Sequence, residues 1–292
     1  MDAGTDRPTR KRLMRYTSVV LVLIVVAGSF YVGFVHLHRR SCRSQTINTQ
    51  IVPRTLIAHA GGITNGLVGT NSREALDASY ARGFRFTEVD LNFTTDGQIV
   101  AVHDWDHSMT RHFGTTPGPR TAGEFSSLRM KHGLKSLTLN DIIDWLREHD
   151  DAYIITDVKN VDRNVEALRI IADRAPDVVR SFIPQIYRWH QYCDVRRLGF
   201  DHIIFTLYQT DLDDDGVIDF AAQYPLLAVT MPLDRSVASD LPARLHRLGV
   251  FVYVHTVNDA DRWARLRGAG VSGIYTDKLE PIAIPARRKT NN

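Results

Sequence analysis

Residues 84–103 read FRFTEVDLNFTTDGQIVAVH and contain two strand-like runs joined by a turn signal. Residues 84–91 have the Phe- and Val-rich composition of a strand but carry two acids, Glu88 and Asp90. Asp96-Gly97 follows, and Asp-Gly between two strand-like runs is a strong signal for a β-hairpin. The stretch therefore predicts a barrel or sheet strand that continues into a small side hairpin ending at His103.

Similar short apolar runs recur on both sides of this stretch. The strand-like runs lie at residues 56–60, 84–91, 153–159, 182–187, 202–208, 226–231, 251–257 and 273–277. Segments with helical character lie between them, at residues 72–82, 139–149, 165–174, 189–198, 238–248 and 260–268. Eight strands alternating with helices predict an α/β fold, a TIM-type (β/α)8 barrel with a hairpin insertion after strand 2. An open doubly wound sheet fits the alternation too, but no glycine-rich phosphate fingerprint follows the first strand.

The N-terminal part of the chain predicts a membrane anchor. Residues 17–35 read TSVVLVLIVVAGSFYVGFV, a run of 19 residues without a charge, which is long enough for one transmembrane helix. A modest excess of Lys and Arg before the run favours a cytoplasmic N-terminus, with the globular domain outside the cytoplasm, periplasmic or extracellular. A cleaved signal peptide is the alternative, but the run is long and no A-x-A-like site closes it. The predicted organisation is a basic cytoplasmic tail (1–16), a transmembrane anchor (17–35), a linker (36–53), a barrel (54–281) and a frayed tail (282–292).

Charge and cysteine usage narrow the classes of function. The formal net charge is +3, with much of the positive excess near the N-terminus, so nothing points to nucleic-acid binding. Cys42 and Cys193 have neither C-x-x-C nor zinc-site spacing. Two separate free thiols are the simpler expectation, although a disulfide between them could form outside the cytoplasm.

Polar and ionisable residues gather at the carboxyl ends of the predicted strands. They are His59, Glu88, Asp90, Asp157, Lys159, Gln185 and His255. In a barrel of this type these ends converge on one face, where active sites lie. Three converging carboxylates repel one another unless a pKa rises or a cation binds, and oxygen ligands suit Mg²⁺ or Ca²⁺. Adding His59 and His103 as acid and base gives a set suited to cleaving a phosphodiester. Structural alternatives are an Asp157–Lys159 ion pair and a core histidine at position 255.

Four segments carry a more specific combination of motifs. They are LIAHAGG (56–62), TNSREALDASYARGFRFTEVDLNFTTDGQIVAVHD (70–104), TLNDIIDWLREHDDAYIITDVK (138–159) and FVYVHTVNDADRWARLRGAGVSGIYTD (251–277). Together they resemble the glycerophosphodiester phosphodiesterase family. This family belongs to the superfamily of phosphatidylinositol-phospholipase-C-like phosphodiesterases. The segments span most of the predicted barrel.

This resemblance implies a role for each matching residue. It implies a metal-dependent phosphodiester hydrolase in which His59 and His103 are the general acid and base. The implied ligands of one divalent cation, Mg²⁺ or Ca²⁺, are Glu88, Asp90 and Asp157. The expected substrate or phosphate contacts are Lys159, Asn71 and His255, to which Gln185 is added from its place at a strand end.

The departures from the family pattern concern the substrate contacts. The family usually has arginine after the first histidine, and Ala60 in its place removes a planar, bidentate phosphate donor. The third acid is often glutamate, whereas Asp157 is shorter by one methylene. The first helix starts with Thr70-Asn71-Ser72, where Pro-Glu-Asn-Thr is common. We therefore expect phosphodiesterase chemistry on an unusual substrate.

Three functions remain open at this point. The first is hydrolysis of a glycerophosphodiester or a related lipid head group. The second is a phospholipase C or sphingomyelinase D-like activity on membrane lipid, which a membrane tether suits. The third is a non-catalytic binding protein with a degenerate barrel.

Residues 211–222 imitate an EF-hand loop, but the twelfth position is Ala222, so an acidic loop before a helix is the better interpretation.

Overall fold

The computed structural model describes residue 42 and residues 51–281, and a closed parallel barrel dominates the second range. Its strands are β1 (Leu56–Ala58), β2 (Phe86–Phe93), β4 (Tyr153–Val158), β5 (Phe182–Ile186), β6 (Ile204–Thr206), β7 (Ala228–Pro232), β8 (Phe251–His255) and β9 (Gly273–Thr276). Each pairs in parallel with its neighbours in the order β1-β9-β8-β7-β6-β5-β4-β2. The β1–β2 pairing, with Ala58 opposite Thr87, closes the ring. The predicted eight-stranded barrel is confirmed, and the alternative of an open sheet is wrong.

The ninth strand, β3 (Ile99–Ala101), lies outside the barrel and pairs with β2 in the antiparallel sense. The connection is a tight turn in which the Thr94 N–H donates to the Gln98 carbonyl at 2.9 Å. Gly97 adopts a φ of +74°, which costs glycine little because it has no Cβ. The predicted hairpin is confirmed, and it carries the chain out to His103 above the barrel.

The helices within residues 51–281 cover the outside of the barrel. They are α1 (Arg73–Ala81), α2 (Ala122–Ser127), α3 (Leu139–Glu148), α4 (Asn164–Arg174), α5 (Gln191–Arg197), α6 (Asp214–Gln223), α7 (Leu233–Ala238), α8 (Leu241–Arg247) and α9 (Ala260–Gly268). Two differ from expectation. Neither α2 nor α7 was predicted, whereas the predicted helix at 238–248 is present as the shorter α8. The acidic loop ends as expected in a helix, because Asp213 caps α6 by accepting from the Gly216 N–H at 2.8 Å.

Helix α3 shows how local sequence sets these elements. Thr138 and Asp141 form a capping box that satisfies free N–H groups at the helix start. One face of the helix, which includes Ile142 and Trp145, is buried in the protein interior. The Trp145 indole donates to Asp77 of α1 at 2.8 Å, so its polar edge is satisfied.

The interior of the barrel changes from apolar to polar along the strand direction. Each of the eight strands contributes one residue to an apolar layer: Ile57, Phe86, Ile155, Ile183, Ile204, Ala228, Tyr253 and Tyr275. Residues two apart on a strand point to the same side, so the next inward positions are His59, Glu88, Asp157, Gln185, Thr206, Thr230, His255 and Asp277. The apolar layer thus supports a polar layer at the carboxyl ends of the strands.

The predicted anchor (17–35) and both tails (1–16 and 282–292) lie outside the described residues, as does most of the linker (36–53). None of the helices within residues 51–281 is long and apolar enough to cross a bilayer. Neither cysteine is a free thiol, since Cys42 and Cys193 are both disulfide-bonded. The expectation of two free thiols is therefore wrong, because the spacing of two cysteines does not reveal their oxidation state.

Candidate active site

Three buried carboxylates form the centre of the polar layer. Glu88 and Asp90 come from β2 and Asp157 from the adjacent β4, and one oxygen from each lies within 4.8 Å of the others. The register places Asp90 opposite Asp157. Glu88 Oε2 accepts from the Ala60 N–H at 2.7 Å, but its buried Oε1 has no hydrogen-bond partner. An unpartnered buried oxygen beside two further acids fits a divalent cation, which would satisfy that oxygen and offset the repulsion.

The pKa values of Glu88 and Asp90 are shifted in opposite directions. Burial, followed by the charge of Asp90, raises the pKa of Glu88 to about 8. Burial also acts to raise the pKa of Asp90, but the charges of Lys159, His59 and His103 outweigh it and lower that pKa. One carboxyl group of the pair is thus protonated near neutral pH unless a cation stabilises its charge. Since the charges of both His59 and His103 lower the pKa of Asp90, both histidines act electrostatically on this acid.

Lys159 bridges two of the acids. Its ammonium lies 2.5 Å from Asp90 Oδ1 and 2.7 Å from Asp157 Oδ2. Burial acts to lower the pKa of Lys159, but the charges of Asp90 and Asp157 outweigh it and raise that pKa. The structural alternative of an Asp157–Lys159 ion pair is therefore present in the structure, and the predicted phosphate contact of Lys159 stays a prediction.

Asn71 holds Asp90 from the side of α1. Its amide donates to Asp90 Oδ2 at 2.7 Å, and its Oδ1 accepts from the Asp90 N–H at 2.9 Å. Asn71 has a φ of +50°, a left-handed conformation that asparagine tolerates better than most residues, just before the N-cap Ser72. The side chain thus orients an acid of the cluster, and a direct contact with the substrate stays a prediction.

His59 follows β1 and is fixed by a carboxylate that sequence reasoning had not singled out. Its Nδ1 lies 2.8 Å from Asp277 Oδ1, and Asp277 in turn accepts from the Asn258 amide at 2.7 Å. Burial acts to lower the pKa of His59, but the Asp277 hydrogen bond and the charges of Glu88 and Asp90 raise it to about 9. The side chain is 32% exposed, so its Nε2 is left for a substrate. Asp277 lies two positions beyond an inward residue of β9, and this parity could have identified it.

His103, the second histidine, reaches the site from the hairpin. Its Nδ1 lies 2.9 Å from Asp104 Oδ2, and its side chain is 57% exposed. Asp104 is held by the N–H groups of Asp106 and Ser108 at 2.9 and 3.1 Å. Partial burial acts against it, but these bonds and the one to His103 keep the pKa of Asp104 well below its usual range. Each histidine thus has a carboxylate at Nδ1, which fixes the ring and leaves Nε2 for proton transfer.

Gln185 and His255 complete the predicted set. Gln185 is buried and its Oε1 accepts from the Thr206 hydroxyl at 2.5 Å, which ties it to the neighbouring strand. His255 lies between the rings of Tyr208 and Tyr275, with centroids 6.0 and 5.9 Å away. Its buried Nε2 has no hydrogen-bond partner, and burial lowers its pKa to about 4. His255 is thus a neutral ring in the polar layer. The substrate contacts of Gln185 and His255 stay predictions.

Ala60 occupies a tight position between His59 and the acids. It is buried, has a left-handed φ of +47°, and donates its N–H to Glu88. Its methyl group offers no donor to a phosphate. The backbone at this position orients a carboxylate, whereas the side chain leaves phosphate binding to other groups.

Replacing His255 with phenylalanine should make the protein less sensitive to acid. The folded pKa of about 4 is below the value of about 6.5 for an unfolded histidine. Between these values the unfolded chain binds more protons than the folded one. The contribution of neutral His255 to the free energy of unfolding is therefore fully present above pH ~6.5 and is lost as the pH falls toward 4. At pH 5 the loss is about 2 kcal/mol, and the variant should not show it.

Urea unfolding of the metal-free protein, compared at neutral pH and near pH 5, measures this difference. His246→Phe is the matched control, because His246 is exposed on α8. It should keep the wild-type dependence on pH. A His255→Phe protein with the wild-type dependence would contradict the assignment.

Comparison with known proteins identifies the family. The model of the glycerophosphoryl diester phosphodiesterase family matches residues 59–280, well over half of the chain. The chain belongs to that family. Members of the glycerophosphoryl diester phosphodiesterase family are phosphoric diester hydrolases, and this chain is an enzyme of that class. The matched region contains every candidate site residue, from His59 to Asp277.

Solved phosphodiesterase structures share the fold. A glycerophosphodiester phosphodiesterase from Thermotoga maritima is 18% identical with a TM-score of 0.62, and the match covers 78% of this chain and 96% of that one. One from Parabacteroides distasonis is 20% identical with a TM-score of 0.58, covering 76% and 92%. A phosphodiesterase from Oleispira antarctica, solved with the product sn-glycerol-3-phosphate, is 15% identical with a TM-score of 0.58, covering 77% and 93%. At these identities the likeness shows the fold alone.

Proposed function

We propose that this chain hydrolyses a glycerophosphodiester or a related lipid head group, with one divalent cation and with His59 and His103 as general acid and base. The observation that carries the proposal is a cluster of three buried carboxylates together with two histidines whose charges act on Asp90, each histidine with its own carboxylate at Nδ1. Family membership supports phosphodiester hydrolysis, and the cation and the roles of the histidines are the finer part of the proposal.

The cation would be held by Glu88, Asp90 and Asp157. Hard carboxylate oxygens suit Mg²⁺ or Ca²⁺, and Glu88 Oε1 is a buried oxygen of the cluster without a hydrogen-bond partner. When bound, such an ion neutralises charge on the phosphoryl oxygens. Lys159, bridging Asp90 and Asp157, adds a positive charge at the same place and is suited to contact the phosphate.

The two histidines would move the protons. One Nε2 accepts the proton of the attacking hydroxyl or water, and the other Nε2 donates a proton to the leaving alcohol oxygen. Asp277 and Asp104 hold the Nδ1 sides of the two rings, so each ring keeps a fixed tautomer and direction through the reaction. Both carboxylates therefore stabilise the imidazolium that forms during the transfer.

Assays with matched substrates separate the two enzyme proposals. The purified chain with Mg²⁺ or Ca²⁺ is compared on water-soluble glycerophosphodiesters and on micellar phospholipids with the same head groups. Faster cleavage of the water-soluble diesters supports the proposal, and cleavage of the micellar lipids alone would replace it with a phospholipase C or D activity. The retained acids and histidines, together with family membership, stand against a non-catalytic binding protein.

We also propose that residues 17–35 anchor the chain and that the barrel lies outside the cytoplasm. The uncharged run and its basic flank support the anchor. The disulfide-bonded state of both cysteines supports an oxidising compartment. Protease added to intact cells, or to spheroplasts of a bacterial host, should digest the barrel. Protection of the barrel until the membrane is lysed would contradict this orientation.

A further inference from the structure

Two tyrosines outside the predicted set hold one acid of the cluster. Tyr187 follows β5 and Tyr208 follows β6, and both hydroxyls donate to the same oxygen, Asp157 Oδ1, with Tyr208 at 2.9 Å. We propose that Tyr187 and Tyr208 are positioning residues, which orient Asp157 for cation binding. The inference rests on the proposed function, because it assigns Asp157 to the cation.

The contacts fix the rotation of the Asp157 carboxylate. The two phenols occupy Oδ1, whereas Oδ2 accepts from the Lys159 ammonium at 2.7 Å. Rotation about the last side-chain bond would break contacts at both oxygens. Oδ2 therefore stays on the side of Asp90, whose Oδ1 lies 2.5 Å from the same ammonium. The tyrosines set which oxygen of Asp157 faces the cluster.

The choice of acceptor distinguishes these tyrosines from two other buried tyrosines, Tyr253 and Tyr192. A buried phenol needs an acceptor, but a backbone carbonyl is enough. Tyr253 donates to the Arg54 carbonyl at 2.6 Å, and Tyr192 donates to the Pro225 carbonyl at 3.0 Å. Tyr187 instead donates to a carboxylate, together with a second tyrosine. Packing alone does not require two phenols on one acid of the site.

The two rings are placed to do this rigidly. They meet edge to face with centroids 5.5 Å apart, and Tyr208 also packs against His255. Burial raises the pKa of both phenols, so both remain protonated donors. Tyr187 is fully buried, whereas Tyr208 is 37% exposed. Water can replace the Tyr208 hydroxyl but not the Tyr187 hydroxyl, so the effect of losing Tyr187 should be the larger.

Calorimetric titration of the metal-free chain with Mg²⁺ and with Ca²⁺ tests the inference. Tyr187→Phe should weaken the preferred ion by about 10–100-fold, the usual effect of losing a group that orients a ligand. Tyr208→Phe should have a smaller effect. Tyr253→Phe is the matched control, because it deletes a buried hydroxyl far from the acids, and it should bind the ion as the wild type does. Saturating ion should restore kcat in Tyr187→Phe, which a purely structural defect would not allow.

A double-mutant comparison shows whether Tyr187 acts through Asp157. If it does, Tyr187→Phe combined with Asp157→Asn binds no more weakly than Asp157→Asn alone. Additive losses, or wild-type affinity in Tyr187→Phe, overturn the inference and leave the proposed function standing. A wild-type chain that binds neither ion overturns both.

Discussion

Replacing His59 with alanine should lower kcat/KM for the cleaved diester by about 10²–10⁴-fold, the range for removal of a general acid or base. The side chain is fixed by Asp277 at Nδ1 and is only 32% exposed, so no neighbour replaces it. The loss should fall mainly on kcat, because the acids proposed to hold the cation remain in place. Initial rates with a saturating cation measure the effect.

The control for this prediction is His246→Ala on α8, an exposed histidine that should leave the rate unchanged. His59→Ala should still bind the cation with wild-type affinity, which separates proton transfer from ion binding. Adding His103→Ala to His59→Ala should cost less than the product of the two single effects, as for residues that act as a unit. Retention of wild-type kcat in His59→Ala would remove it from the mechanism.

Replacing Glu88 with glutamine should move activity and stability in opposite directions. The amide keeps the shape of the side chain and an oxygen for the Ala60 N–H, but it removes one of the three carboxylates proposed to hold the cation. Activity at a limiting cation concentration should fall by about 10²-fold or more. In the absence of the ion the variant should be more stable than the wild type by about 4 kcal/mol near pH 8, because a neutral group replaces an acid whose pKa burial raises from 4.5 to about 8.

The direction of the pH effect follows from the raised pKa. Glu88 titrates at about 8 in the folded metal-free protein, above its unfolded value, so its contribution to stability is complete at low pH. That contribution is lost as the pH rises toward 8. The gain of Glu88→Gln over the wild type should therefore grow with pH in urea unfolding with a chelator. Glu166→Gln, an exposed glutamate paired with Arg163, is the control and should show no such gain. Equal stability at every pH would contradict the account of the cluster.

The barrel could be predicted because its information is local. Strand-like runs, helical spacing and the Asp96-Gly97 turn each identify an element within a few residues. Helix α7 was missed because Leu233–Ala238 is short and starts directly after Pro232 at the end of β7. Helix α2 has only six residues, too few for a clear apolar period.

The candidate site was predicted in part for the same reason. Glu88, Asp90 and Asp157 lie on strands and His59 directly follows β1, and strand parity places them inside the barrel. The partners of these groups come from distant strands, so single segments do not reveal them. Tyr187 meets Asp157 across the β4–β5 pair, and Asp277 meets His59 across the β1–β9 pair. Applying the parity of the apolar layer to all eight strands would have placed both at the mouth.

Cation-dependent phosphodiester hydrolysis at this cluster is tested most directly by removing the ion and then restoring it. The purified chain is incubated with a panel of glycerophosphodiesters, first with Mg²⁺ or Ca²⁺, then with excess chelator, then with the ion restored. Products are identified by mass. We expect a phosphomonoester and an alcohol that appear with the ion, stop forming with the chelator and form again on its return, in the wild type but not in Glu88→Gln at limiting ion. Hydrolysis that continues unchanged under chelation, or no hydrolysis of any diester with the ion present, would contradict the account.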